Sequence, residues 1–428
     1  MHIGNRITDL RETQGMTQGE LAKRLGTTQS AIARLESGKQ IISASMLKKL
    51  SSALKKNLIT LSPGTMNLEI HGGQKMHGTV VTSTSKNGAV GLLCASLLNK
   101  HRTILRRVPR IEEVHRIIEV LESIGMRVEW NGSDVTLTPP ARYELAKIDR
   151  VAAQKTRSIV MFIGPLMHHL RKFSLPQSGG CKLGSRTVRP HFFALERFGV
   201  HIEAKHDEFA VHVTPKKAGE IILYESGDTV TENALLGAAL TPGITVIKYA
   251  SANYQVQEVC AFLEQCGVRI EGFGTTTLTV HGIASIHHSV EYTLSEDPTD
   301  TMFFLATAIV THSTITITRC PIEFLEIELL KLEKMGFKYK RSKVYLSENK
   351  VTKLVDITTK PSKLTALHEK IHPSIYPGLN IDNLPFFAII ATQATGQTLI
   401  HDWVYEKRAL YFTELDKLGA ETVLADPH

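Results

Sequence analysis

The stretch SGGCKLGSRTVRP, residues 178–190, places a cysteine between a pair of glycines and a run of cations. Cys181 directly follows the two glycines, and Lys182, Arg186 and Arg189 follow it. Positive neighbours favour the thiolate over the thiol, and the glycines leave the sulfur approachable. The pattern therefore predicts a loop that handles an anion with a reactive thiol.

The bulk composition describes an ordinary globular chain. Its 428 residues are enough for two or three domains, and neither a signal-peptide core nor an apolar run long enough to span a membrane is present. Five cysteines form an odd set without metal-binding spacing, and Cys94, Cys260 and Cys266 lie in apolar helical patterns. We therefore expect a cytoplasmic protein with reduced cysteines and no membrane partner.

The positive charge is concentrated at the N-terminus. The net charge is +8, and residues 1–60 carry ten Lys and Arg against four Asp and Glu. A small basic domain in front of a nearly neutral body is typical of contact with nucleic acid.

Short helical patterns separated by glycines fill this basic segment. Thr17 is a candidate N-cap with Glu20 three residues on, Gly26 ends that helix, and a second helix begins near Thr28. Two helices joined by a short glycine turn form a helix-turn-helix. The next break, at residues 61–65, is the predicted linker.

The pattern TQxELAxxLGxxQSxIxRxExGK in this segment resembles the Cro-type repressor domain. The resemblance implies that the helix from Thr28 enters the major groove of DNA and that the protein binds as a homodimer. It places Gln29, Ser30 and Arg34 at base edges. Gln18 and Lys39 would contact phosphates. The alternative is a helical packing or dimerisation module that does not bind DNA.

A repeated pattern organises the rest of the chain. A helix ending in L-(E/D)-x-x-G and a short following strand recur five times, with the glycines 68 to 83 residues apart. Glycine suits the left-handed position that closes a helix, and in the first four units a second strand is predicted to pair with the first. The repeated glycines are Gly125, Gly199, Gly267, Gly336 and Gly419. Units of this length predict small α+β modules rather than a solenoid.

Several stretches of the body resemble the enolpyruvyl transferases, and most closely the branch that uses UDP-N-acetylglucosamine. They include SKNGAV, TRSIVMFIGPL, GGCKLGSRTV, PGLNIDNLPFF and YEKRALYFTELDKLGA, and the resemblance covers residues 66–428. It implies an α+β fold of two domains with three such units each. Residues 86–294 would form the domain with the cysteine loop, and residues 66–85 with 295–428 an incomplete second domain.

The resemblance also implies a reaction. The enolpyruvyl group of phosphoenolpyruvate would pass to the 3-hydroxyl of UDP-N-acetylglucosamine with release of phosphate, a step of peptidoglycan precursor synthesis that needs no cofactor and no metal. This chemistry requires cations for the donor, an acid for its methylene carbon and a base for the hydroxyl. Cys181 matches the acid and Asp382 the base, and Lys86 matches a lysine that binds the donor.

Four further residues match substrate-binding positions of the family. Asn87 would bind the sugar, Arg157 and Arg186 would hold the donor phosphate, and Arg408 would lie on the other side of the cleft. Without the resemblance, an arginine of this kind is most often a surface residue. The histidines at residues 168–169, at 287–288 and at 368 with 372 are expected to be structural or surface residues, because none of these sets adds a third ligand at zinc spacing.

Two departures from the family stand out. Arg189 occupies a position near the uracil where the family usually has an aspartate. The fifth unit is expected to stop one strand past Gly419, and the sixth unit is missing. Either the sequence is a fragment, which we favour, or it is a shortened protein.

Three functions therefore compete. The first is an enolpyruvyl transferase fused to a DNA-binding domain. The second is a transcriptional regulator whose inactive transferase body senses a sugar nucleotide. The third is an enolpyruvyl transferase with a different acceptor. Retention of Lys86 and Cys181 favours an active enzyme.

Overall fold

The computed structural model describes two compact units of the chain. They comprise Met1–Ile70 and His71–His428. The residues that the structure describes are 3–37, 46, 49, 50, 53, 54, 72–177, 187–405, 408 and 411–425. Lys39, Cys181, Arg186 and the predicted linker therefore lie outside the described residues. Within the described residues, no helix is long and apolar enough to cross a membrane.

Three helices lie within residues 3–37 of the N-terminal unit, and they are Ile3–Thr13 (α1), Gln18–Leu25 (α2) and Gln29–Glu36 (α3). The predicted capping box is confirmed, since the Thr17 hydroxyl accepts from the Glu20 amide and the Glu20 carboxylate accepts from the Thr17 amide. Gly26 closes α2 with a φ of 64°, as predicted. Leu21, Ile32 and other apolar side chains bury one face of each helix in a separate small core.

The body begins with β1 (His77–Val81), and its first unit follows directly. That unit has an apolar helix, a strand, a second helix and two antiparallel strands, in this order: α4 (Lys86–Ala95), β2 (Thr103–Arg106), α5 (Glu112–Ser123), β3 (Arg127–Asn131) and β4 (Asp134–Thr138). Short helices α6 (Arg150–Gln154) and α7 (Ile163–Leu166) flank a 3-10 helix, Arg157–Phe162, at the start of the second unit. The second unit continues through β5 (Lys172–Pro176), α8 (Arg189–Glu196), β6 (Val200–Ala204) and β7 (Glu208–Val213).

The third and fourth units repeat the plan. The third contains β8 (Glu220–Ile222), α9 (Asp228–Ala239), β9 (Gly243–Lys248), α10 (Tyr254–Gln265), β10 (Arg269–Glu271) and β11 (Thr277–Gly282). After β12 (Val290–Thr293) come the elements of the fourth, α11 (Pro298–Val310), β13 (Thr314–Pro321), α12 (Glu326–Lys334), β14 (Lys338–Arg341), β15 (Tyr345–Leu346) and β16 (Lys353–Lys360). The final strands of each unit pair antiparallel, which confirms that prediction for the first four units.

The repeated glycines close their helices as expected. Their φ angles lie between 79° and 105°, in the region that side chains disfavour. After the first four of these glycines a strand follows within two residues.

The fifth unit differs from its predicted form. It contains β17 (Leu364–Thr365), α13 (Leu384–Ala391), β18 (Ala394–Thr395) and α14 (Tyr411–Asp416). The prediction of a strand after Gly419 is wrong, because described residues 420–425 form no strand and are mostly exposed. A strand requires a neighbour for its backbone hydrogen bonds, and no described strand lies beside this segment.

Two strands of the body pair with strands that lie far away in the sequence. β1 pairs parallel with β13 of the fourth unit, and β12 pairs parallel with β2 of the first. One hydrophobic cluster extends from Ala89 to Leu294, and a second begins at Met302 and ends at Ile390. These observations support the predicted discontinuous division at residues 85 and 295, which stays a prediction.

An ion-pair cluster joins the two halves where the strands cross. The Glu296 carboxylate is fully buried and accepts from Arg107 Nη1 at 2.9 Å and from Arg319 Nε at 2.9 Å. Arg107 belongs to the first unit and Arg319 to the fourth. A buried carboxylate held by two arginines fixes the first and fourth units relative to each other, and hence the site residues that lie on each.

Candidate active site and candidate DNA-binding surface

Lys86 stands at the start of α4, where the Ser85 side chain caps the helix. Its Nζ lies 2.7 Å from Glu113 Oε2 on α5. Ser158 Oγ and Thr156 Oγ1 donate to the other carboxylate oxygen, at 2.7 and 3.1 Å. Burial alone would raise the pKa of Glu113, but the Lys86 ammonium and these hydrogen bonds outweigh it and leave the pKa lowered. A carboxylate that stays ionised thus holds the lysine in place.

Asn87 connects the first unit to the third. Its side-chain amide donates to Tyr254 Oη at 3.0 Å and to Gln255 Oε1 at 3.3 Å. Burial raises the pKa of Tyr254, and the carboxylates of Asp297 and Asp382 raise it further. Asp382, in the other half of the body, therefore lies within electrostatic range of the group that Asn87 contacts.

Arg157 lies beside the end of the cysteine loop. Its Nη2 donates to the Thr187 carbonyl at 2.8 Å, and Thr187 is the first described residue after 178–186. Burial, followed by the nearby Arg157 charge, lowers the pKa of His191 to about 3. The positive charge of this segment therefore comes from Arg157, because the histidine stays neutral at pH 7.

Asp382 and Arg408 come together from the fifth unit. Arg408 Nη2 lies 3.6 Å from Asp382 Oδ1 and donates to the Ile381 carbonyl at 3.1 Å. On its other side, Arg408 Nε lies 3.8 Å from the buried Asp402 Oδ2. The Asp382 carboxyl remains about half exposed and can meet a ligand, whereas Arg408 is almost buried.

A cavity of about 590 Å³ opens beside Asp382. It lies between the third unit and the fourth and fifth units, so both halves of the body line it. Its described lining comprises Glu225, Ser226, Gly227, Asp228, Asn253, Glu323, Phe324, Glu326, Ile327, Glu328, Leu330, Ser374, Ile375, Tyr376, Pro377, Gly378, Asn380, Ile381, Trp403, Val404 and Tyr405. Ile381 in this wall is the residue directly before the predicted base.

The structure brings together part of the predicted site. Lys86 and Asn87 lie in the half of the body that holds the first three units. Asp382 and Arg408 lie in the other half. Three residues that contact the predicted site residues or line the cavity were not predicted from the sequence: Glu113, Tyr254 and Glu328. Glu113 lies in the first turn of a predicted helix, and an acidic residue at that position is a signal that could have indicated it. The residues next to Tyr254 carry no such signal.

The predicted DNA-binding residues occupy the N-terminal unit. Thr28 caps α3, where its hydroxyl accepts from the Ala31 amide, and Gln29, Ser30 and Arg34 are exposed on that helix. The apolar residues Ile32 and Leu35 face inward, as the pattern predicts. Gln18 is turned toward Glu36, to whose Oε2 it donates at 2.8 Å.

Comparison with known proteins agrees with this fold. The family model described as EPSP synthase (3-phosphoshikimate 1-carboxyvinyltransferase) matches residues 70–426, and a helix-turn-helix model matches residues 7–61. The chain belongs to the EPSP synthase family of enolpyruvyl transferases and carries a helix-turn-helix domain before it. The expected α+β enolpyruvyl transferase fold is thereby confirmed.

Named relatives lie in one branch of that family. The UDP-N-acetylglucosamine 1-carboxyvinyltransferase of Thermobifida fusca is 31% identical over 364 residues, which cover 82% of this chain and 81% of the relative. That of Bradyrhizobium diazoefficiens is 29% identical over 363 residues, covering 84% and 82%. Among solved structures, the enolpyruvyl transferase NikO from Streptomyces tendae has a TM-score of 0.69 at 21% identity and covers 84% of this chain and 82% of its own.

Proposed function

We propose that the protein transfers the enolpyruvyl group of phosphoenolpyruvate to a hydroxyl of an acceptor and releases phosphate. The observation that carries this proposal is the pairing of Lys86 with an ionised Glu113 at 2.7 Å, next to Asn87 and across from Asp382.

Different residues act on the donor and on the acceptor. Lys86 and Arg157, together with Arg186, bind the carboxylate and phosphate of the donor. Asp382 accepts the proton of the acceptor hydroxyl while the oxygen of that hydroxyl bonds to the central carbon of the donor. Cys181 donates a proton to the methylene carbon of the donor. Loss of a proton from the resulting methyl group then expels phosphate and restores the double bond on the acceptor.

The named relatives make UDP-N-acetylglucosamine the first acceptor to test, which would place the reaction in cell-wall precursor synthesis. The test is phosphate release from phosphoenolpyruvate with and without this acceptor, on wild type and Cys181→Ala. Release that requires an acceptor and is lost in the variant supports the proposal. Acceptor binding without turnover by the wild type would instead support a regulatory body.

We also propose that residues 1–60 bind DNA as a homodimer. The exposed Gln29, Ser30 and Arg34 on one helix support this, because amide, hydroxyl and guanidinium groups hydrogen-bond base edges in the major groove. An electrophoretic shift with DNA selected from a random pool tests it, and a monomer that shifts no DNA would contradict it.

A further inference from the structure

The body of the protein carries its excess positive charge in one stretch. Residues 331–363 hold ten Lys and Arg against three Asp and Glu, a net charge of +7, whereas residues 1–60 have a net charge of +6. The rest of the body, residues 61–330 and 364–428, holds 30 Lys and Arg against 35 Asp and Glu. A basic stretch within an otherwise acidic body is typical of a surface that binds a polyanion.

The strands in this stretch place three of the lysines on one face of a sheet. The strand order of that sheet is β1, β13, β16, β14, and Lys338 of β14 lies directly opposite Lys360 of β16. Because side chains alternate along a strand, Lys340 stands on the same face as this pair. All three lysines are exposed, whereas Ile357 on the other face is fully buried in the core. We call these three residues the lysine surface.

Threonine hydroxyls stand beside the lysine surface on the same face. Thr358 lies opposite Lys340, and the Oγ1 atoms of Thr358 and Thr316 are 3.0 Å apart. Thr79 of β1 pairs with Thr316 in turn. Ammonium and hydroxyl groups are side-chain donors that bind DNA phosphates. Binding of single strands depends on bases that stack on aromatic rings, so a face of lysine and threonine suits the backbone of a duplex.

The lysine surface is not neutralised by acids of the protein. Among the described residues, no ion pair involves Lys338, Lys340 or Lys360. The three acids of the stretch have other partners, which are the Tyr339 hydroxyl for Glu333, Arg319 for Glu348 and the Tyr345 hydroxyl for Asp356. Like charges directly opposite each other destabilise a sheet, and the phosphates of a polyanion would remove that repulsion.

We propose that the lysine surface is a second DNA-binding surface, which contacts the phosphates of a duplex without reading its sequence. DNA is the polyanion because the same chain carries a helix-turn-helix domain, matched over residues 7–61. The inference rests on the proposed DNA binding of residues 1–60 and extends it to the body. Two contacts made by one chain with one duplex reinforce each other, since the second forms at a high effective concentration.

The test measures the affinity of the full chain for two duplexes by fluorescence anisotropy. One duplex contains only the selected site, and the other has two helical turns of unrelated sequence added on each side. We expect the wild type to bind the extended duplex at least about tenfold more tightly at low salt, because each additional lysine–phosphate contact releases a counterion. The affinity for the extended duplex should also fall more steeply with salt. Equal affinities at low salt would overturn the inference.

A triple variant assigns the effect to the lysine surface. Lys338→Gln combined with Lys340→Gln and Lys360→Gln should abolish the gain from the extended duplex and lower its salt slope by about 2–3, with no change for the short duplex. Because the variant removes a like-charged pair, it should resist urea at least as well as the wild type. A gain that persists in this variant would overturn the inference.

A second triple variant is the matched control for charge. Lys172→Gln, Lys205→Gln and Lys217→Gln remove the same charge from exposed positions of another part of the body. This variant should keep both the gain from the extended duplex and the wild-type salt slope. An equal loss in the two triple variants would show a general effect of net charge and overturn the inference.

Further outcomes separate this inference from recognition by the helix-turn-helix. Preference for the selected site without any gain from extension would keep the helix-turn-helix and overturn the lysine surface. Binding of a random duplex that shows no sequence preference, but is lost in the lysine-surface variant, would keep the surface and count against base recognition. Vesicles that contain phosphatidylserine are the competing probe. Binding to these vesicles that depends on the three lysines, with no effect of the lysines on DNA, would overturn the inference in favour of a lipid surface.

Discussion

Lys86 Nζ and Glu113 Oε2 lie 2.7 Å apart, and two hydroxyl donors hold the other oxygen of that carboxylate. Both carboxylate oxygens are thus engaged within the protein, so in the proposed reaction we expect Glu113 to act as a positioning residue for Lys86. Because Glu113 is 28% exposed at its side chain and Lys86 40%, the pair is partly screened by solvent and its strength is moderate.

Replacing Glu113 should affect the donor more than the acceptor. We expect Glu113→Gln to raise the KM for phosphoenolpyruvate roughly tenfold, since the lysine loses its fixed position, with little change in the acceptor KM. Steady-state kinetics with each substrate varied in turn measures both values. Glu112→Gln is the matched control, because this neighbour pairs with Arg116 at 2.9 Å instead. Equal rises in both KM values would contradict a positioning role.

The cysteines should differ sharply in reactivity. Cys94, Cys260, Cys266 and Cys320 are buried, and burial raises the pKa of each thiol. We expect iodoacetamide at neutral pH to label one cysteine per folded chain and all five after unfolding. Peptide mass spectrometry should place the single label on Cys181 and find it missing in Cys181→Ala. Faster labelling at any of the four buried cysteines would contradict the prediction.

Stability should depend on pH through a buried acid. Burial raises the pKa of Glu258 to about 7, although its Oε1 accepts from the Ser295 amide at 2.6 Å. The folded state therefore keeps a proton that the unfolded state releases near pH 4.5, and stability falls as pH rises from there through about 7. The loss is on the order of 3 kcal/mol, and it is constant above that range.

Glu258→Gln isolates this contribution from the other titrating groups. The amide keeps an acceptor for Ser295 and cannot ionise, so the variant should be more stable than the wild type at pH 8 and nearly equal at pH 4.5. Urea unfolding at several pH values measures the difference. A difference that does not change with pH would show that Glu258 keeps its ordinary titration in the fold.

The DNA-binding proposal rests on the exposed face of α3. We expect Arg34→Ala to weaken binding to a selected DNA site by about 1–3 kcal/mol and to relax its specificity, since base contacts distinguish sequences. Fluorescence anisotropy at fixed salt measures the affinity. Lys23→Ala, which removes an exposed cation from α2, is the control and should weaken all sequences equally or not at all. The same uniform loss from Arg34→Ala would contradict base recognition.

Local patterns predicted the local structure well. Thr17 with Glu20 marked a helix start, and Gly26 and the repeated glycines marked helix ends, because caps and left-handed turns depend on a few adjacent residues. The prediction of a strand after Gly419 was wrong for the opposite reason. A strand forms only beside a neighbouring strand, which the local sequence does not specify.

The cavity beside Asp382 could not be predicted from local sequence. Glu328 lies in ELLKLEK, a charged helical pattern that normally faces water, and its partners Asn380 and Asn383 are 52 and 55 residues further along. Only the fold of the fourth unit against the fifth turns this glutamate inward. The same holds for Asn87 and Tyr254, which meet across 167 residues.

The most direct test of the transfer reaction follows the carbon atoms of the donor. Phosphoenolpyruvate labelled with carbon-13 at all three carbons is incubated with the protein and, in turn, glucosamine, N-acetylglucosamine and UDP-N-acetylglucosamine, and the products are observed by NMR. The proposal predicts an enol ether in which the labelled carbons are bonded to an acceptor oxygen, with one phosphate released for each molecule formed and none from Lys86→Ala. Labelled phosphoenolpyruvate that stays intact with every acceptor, or appears only as free pyruvate, would contradict it.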